Sequence, residues 1–77
     1  MPCRVGITTD TETRKAYWKG KVQGFSGWRI LAKYSTRNEA QAHEDRYARQ
    51  NKCQASGGGG TARGPWYVYR FDYARTK

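Results

Sequence analysis

Apolar and polar residues alternate at three places along the chain, and each stretch reads as a strand. Cys3, Val5 and Ile7 alternate with Arg4 and Gly6, the period of two expected of a strand with one buried face. Trp28, Ile30, Ala32 and Tyr34 alternate with Arg29, Leu31 and Lys33 over residues 28–34. Behind Pro65, Tyr67, Tyr69, Phe71 and Tyr73 alternate with Trp66, Val68, Arg70 and Asp72. Helices fill the gaps. Thr9 with Glu12 forms a capping box and predicts a helix over about residues 10–19, carrying Arg14, Ala16, Tyr17 and Trp18. Thr36 with Glu39 forms another and predicts a helix reaching about residue 51. Gly20, Gly24, Ser26 and Gly27 mark residues 20–27 as a loop. Residues 54–64, with glycine at 57–60, read as a flexible link. They carry no Walker pattern and no following helix start, so a phosphate-cradling loop is not expected there. The sum is one α+β domain over residues 1–77 in the order β-α-β-α-β, a small three-stranded antiparallel sheet with both helices on one side.

A chain of 77 residues buries only about 60% of the surface its unfolded form exposes. Three Trp, six Tyr and two Phe supply much of that core, at roughly 150–250 Å² each. The face with Tyr67, Tyr69, Phe71 and Tyr73 would stack bases if open. Phe71 and at least one of these tyrosines are expected in the core instead.

Charge changes the picture most. Fifteen Lys and Arg stand against six Asp and Glu, a net charge of +9 spread from Arg4 to Lys77. Such a domain attracts polyanions, and a nucleic acid is the expected partner, DNA ahead of RNA. The expected contacts are Arg4, Lys15, Lys19, Lys21, Arg29, Lys33, Arg37 and Arg70. A membrane is not the expected partner: no segment approaches ~20 apolar residues, and no helix sets a clean apolar face against a basic one. Cys3 and Cys53 allow a single disulfide, and with the lone His43 they fall short of a structural zinc set. With no signal peptide opening the chain, two free thiols in a reducing cytoplasm are expected.

On the second helix Ala40, His43, Glu44, Tyr47 and Asn51 share a stripe, while Ala42, Arg46 and Arg49 point away. The stripe turns Glu44 inward, where a carboxylate needs a partner or a metal unless it reaches the margin.

Val5-Gly6-Ile7-Thr8-Thr9-Asp10, with Arg14 eight residues after Gly6, resembles the second half of the GIY-YIG nuclease motif. Glu39-Ala40 followed by Glu44 is similar to that family's metal-binding helix. Trp66-Tyr67-Val68-Tyr69-Arg70-Phe71 resembles the family's missing first strand, which makes the chain look like a circular permutant whose last strand pairs antiparallel with its first. Arg4 stands at the family's second Tyr position and Tyr67 at its first Gly. The resemblance implies an endonuclease: Glu44 holding one Mg²⁺ or Mn²⁺, Arg14 gripping the scissile phosphate, and Tyr69, Tyr17 or His43 taking or relaying the proton. Three alternatives stand beside it. One is a non-catalytic DNA- or RNA-binding module on the same frame. Another follows from Trp28–Ala48, which is similar to part of the plant ethylene-response-type DNA-binding domain, with Arg29, Lys33 and Arg37 in the major groove. The last is a phage-type inhibitor docking on a nucleic-acid enzyme.

Overall fold

The computed structural model describes residues 2–59 and 64–76. In chain order the elements are β1 (Cys3–Thr8), α1 (Thr11–Lys21), β2 (Val22–Gln23), β3 (Ser26–Tyr34), α2 (Arg37–Asn51), β4 (Gln54–Gly59), β5 (Trp66–Asp72) and β6 (Arg75–Thr76). The architecture is α+β, with two helices, a four-stranded sheet in the order β3-β5-β1-β4 and a two-stranded ribbon of β2 and β6.

β5 lies at the centre. It pairs antiparallel with β1, Gly6 opposite Tyr69, and antiparallel with β3, Ile30 opposite Tyr69. The expected three-stranded antiparallel sheet is therefore part of a larger mixed one. The addition is β4, which runs parallel to β1 with Arg4 opposite Gln54 and Val5 opposite Ala55. Residues 54–59 were expected to belong to a link. Glycine offers no side-chain pattern, but its backbone can still complete a ladder. Residues 60–63 of that link lie outside the described residues.

Both faces of β5 carry buried apolar residues, and both are covered. Trp66 and Val68 pack with Val5, Ile7, Ala40, Ala48 and Cys53 beneath α2. Tyr69, Phe71 and Tyr73 pack on the opposite face with Trp18 of α1 and Val22 of β2. The helices thus flank the sheet instead of sharing a side. β5 is a strand buried on both faces, and large side chains at successive positions 68 and 69 are what such a strand requires.

Local chemistry moved other boundaries. The first N-cap is Asp10, one residue beyond the expected Thr9. Asp10 accepts from the Thr13 backbone N–H at 3.1 Å and from its hydroxyl at 2.8 Å, bonds that hold the carboxyl below its ordinary range. Thr36 caps α2 as expected, accepting from the Glu39 N–H at 3.3 Å. β3 begins inside the expected loop, at Ser26, and carries a bulge. Ile30 faces Tyr69 and Ala32 faces the adjacent Val68, so an extra residue is accommodated between them. The single expected face is split: Trp28 packs on the α1 side, and Leu31, Ala32 and Tyr34 on the α2 side.

Cys3 and Cys53 form a disulfide, which corrects the expectation of free thiols. The parallel register brings them together, since each stands one residue before the Arg4–Gln54 pair. The reducing cytoplasm was inferred from free thiols, and that ground is removed. Among the described residues no helix is long and apolar enough to cross a membrane.

Candidate nucleic-acid interface

The Tyr69 hydroxyl is where the sequence-derived residues meet. Gly6, directly opposite on β1, has no side chain, and a Cβ there would lie 2.5 Å from the hydroxyl. That vacancy lets the ring cross the neighbouring strand. Its hydroxyl then accepts a hydrogen bond from the Trp18 indole Nε1 at 2.9 Å. Trp18 stands four residues after Arg14 on the same side of α1, a spacing that could have marked it as a partner of the site.

Burial is the main force on this phenol and pushes its pKa up. The Trp18 bond and the charges of Arg14 and Arg4 pull it down, while the Glu44 charge pushes it up again. The net direction is upward, so Tyr69 stays protonated and neutral at physiological pH. It is also almost fully buried. A phenol in that state is poorly suited to taking a proton from water.

Arg4 carries a stacked guanidinium. It lies 5.0 Å from the Trp18 ring and 5.7 Å from the Tyr73 ring, a cation–π arrangement. Its Nη1 reaches Ser56 Oγ at 3.4 Å, and its Nε finds no partner among the described residues.

Glu44 comes from the other helix, and its charge still acts on the Tyr69 phenol. It sits between Ala40 and Ala48 on the stripe of α2 that packs against the sheet, at 0% exposure, and Gln41 Nε2 donates to its Oε1. The Mg²⁺ or Mn²⁺ implied by the resemblance would have Glu44 as its one carboxylate, and such an ion takes oxygen ligands and keeps several waters. Among the described residues no group of three or more His, Cys, Asp and Glu could hold a metal.

His43 is also elsewhere. Its Nδ1 meets the Tyr34 hydroxyl at 3.0 Å and its ring approaches Tyr47, so it lines the flank of α2. Burial first, and the Arg46 charge second, lower its pKa. Arg70 lies nearby on the same face of β5. Its guanidinium donates to the Tyr47 hydroxyl at 2.8 Å and pairs with Asp72 at 2.6 Å, which commits it internally.

The remaining cations divide by element. Arg14, Lys15, Lys19 and Lys21 ride on α1, Arg29 and Lys33 on the β3 edge, and Arg37 at the start of α2 over the Trp66 ring. Tyr17 is 45% exposed beside Trp18, with the Arg14 guanidinium 5.0 Å and the Lys21 ammonium 5.5 Å from its ring centroid. Lys33 lies 5.8 Å from the half-buried Tyr67 ring. Tyr67 shares the β5 face of Tyr69, the face that α1 covers.

No protein-family model matches the chain, and no curated protein and no solved structure matches it either.

Proposed function

We propose that this chain is a nucleic-acid-binding protein on a GIY-YIG-like, circularly permuted frame, one that holds phosphate and does not cut it. The observation that carries the reading is the surplus of cations. With 15 Lys and Arg against six Asp and Glu, nine have no acidic counterpart in the chain. Several stand against aromatic rings on the α1 side of the sheet, namely Arg4, Arg14, Lys21 and Lys33. Such a surface attracts a polyanion and orients it.

The frame is supported by the pairing of β5 with β1, which sets Tyr69 against Gly6. The binding side of the proposal is supported by three departures from a working hydrolase. Glu44 is sealed, Tyr69 is buried and bonded to Trp18, and Arg4 supplies a cation where a second phenol would help position water.

Fluorescence anisotropy with labelled DNA and RNA should show affinity falling steeply with salt. The loss is about 10³–10⁵ between 50 and 200 mM if ~6–10 phosphates are contacted. A companion nicking assay with Mg²⁺ or Mn²⁺ should show no cleavage. Cutting by the wild type that disappears in Glu44→Ala would overturn the binding-only reading in favour of a nuclease. No binding at low salt would overturn the nucleic-acid reading altogether.

A further inference from the structure

Two large apolar side chains are markedly exposed among the described residues, Tyr17 at 45% and Ile30 at 42%. Ile30 lies on an edge strand next to a bulge, and that position accounts for it. Tyr17 belongs to neither buried cluster. The buried position on this part of α1 is filled by Trp18.

Tyr17 is nevertheless held in place. Its ring stands edge-on to Trp18, with centroids 5.1 Å apart at 86°, and Trp18 is itself pinned by Tyr69. An exposed ring on a fixed support has already lost most of the freedom that binding would cost it. Arg14, three residues before, and Lys21, four residues after, both lie on it, as helix geometry dictates. The result is an aromatic surface with a cation on either side along the helix.

We infer that Tyr17 is a stacking platform for an unpaired base of a single-stranded nucleic acid, with Arg14 and Lys21 taking the phosphates on either side of it. The inference rests on the nucleic-acid reading above and narrows it. In a duplex the base faces are covered by their neighbours, and a protruding Tyr ring gains nothing from them. In a single strand every base has a free face, and stacking is indifferent to sequence. Lys21 is the group that yields when a base arrives, because its ammonium sits on a flexible four-carbon stem and is better solvated than a guanidinium. Once displaced it is free to pair with phosphate. Tyr67 with Lys33 repeats the pairing of ring and cation on the sheet.

The test is an anisotropy titration of one labelled mixed-sequence strand, alone and annealed to its complement, against the whole chain. The wild type should bind the single strand more tightly. Tyr17→Ala should weaken single-strand binding about 5- to 150-fold, leave the salt slope unchanged and leave the duplex affinity where it was. Tyr17→Phe keeps the ring and should restore binding. Lys21→Gln should instead reduce the salt slope by about one. Because Tyr17 is exposed, circular dichroism should show each variant folded. Equal or tighter duplex binding together with a silent Tyr17→Ala would overturn the stacking site and leave charge-driven binding intact. Absence of any binding at low salt would remove the underlying reading and this inference with it.

Discussion

On the α2 face of the sheet, Val5, Ile7, Ala40, Ala48 and Val68 pack as small groups around Trp66 beneath a 15-residue helix, with the Cys3–Cys53 disulfide as part of the cluster. On the α1 face the buried groups are aromatic except for Val22: Trp18, Tyr69, Phe71 and Tyr73, with Phe25 and Trp28 half-buried at the margin. The helix above them is shorter and sends one buried residue, Trp18, into the cluster. Small aliphatic groups let α2 lie close to the sheet and seal it. Rings stand tall, and beside them Tyr17 is exposed and Tyr67 half-buried. One face is therefore core alone, and the other combines a core role with the surface proposed to meet a polyanion.

The strongest way to break this contrast is to ask whether the aromatic face is core at all. Phe71 is fully buried and its ring approaches those of Trp18, Phe25, Trp28, Tyr69 and Tyr73. Phe71→Ala should cost about 3–5 kcal/mol, most of the stability of a domain this small. Phe71→Leu, which retains volume, should still melt cooperatively and give a measurable urea midpoint between the two. If Phe71→Ala loses less than about 1 kcal/mol, the aromatic array is a platform only, and the sheet is held from the α2 face alone.

How much of this contrast was readable beforehand depends on whether side chains carried it. The alternation in β1 and β5, the Thr36 cap and the antiparallel pairing of first and last long strands are side-chain patterns, and the fold follows them. Val68 beside Tyr69 already signals a strand buried on both faces, so the two-sided cover was legible and was misjudged. β4 was not legible, because three of its six residues are glycine and its pairing is made by backbone. The disulfide is a consequence of β4, and a spacing of 50 residues by itself says nothing. At the candidate site, Arg14, Glu44 and Tyr69 were named by the spacing of the resembling motif, and Glu44 also by its place on the inward stripe of α2. His43 was named from the same stripe, and helical position fixes a side and not a distance: its ring meets Tyr34.

A second comparison comes from the covalent link. Closing a loop of this length constrains the unfolded chain, and replacing both cysteines, Cys3→Ser with Cys53→Ser, should cost about 2–4 kcal/mol. Melting curves with and without reductant read the same quantity on the wild type. Because the disulfide belongs to the α2 face and the proposed interface to the other, the reduced but still folded protein should bind nucleic acid at low salt as the oxidised one does. Lost affinity in a sample that circular dichroism shows to be folded would mean that β4 and its contact from Ser56 to Arg4 belong to the interface, and the two faces would no longer divide the work.

The smallest expected effect is a titration on the sealed side. Desolvation, followed by the positive charge of Arg46, lowers the pKa of His43, so the fold favours the neutral imidazole that meets Tyr34. The unfolded chain takes up its proton first as pH falls below about 6.5. By linkage, the stability from this group is present above that value and is lost as pH falls through the lowered folded pKa. The urea midpoint of the wild type should therefore drop from neutral pH to mildly acidic pH, before the carboxylates titrate, and the midpoint of His43→Gln should drop less. His43 is only half-buried, so solvent screening keeps the difference small. Its value lies in where it appears. A histidine on the α2 flank should change stability over that pH range and leave the Tyr17-dependent part of single-strand binding untouched. If His43→Gln instead alters the pH dependence of binding while both proteins remain folded, the polyanion reaches the α2 flank, and the interface extends around the β3 edge through Arg29.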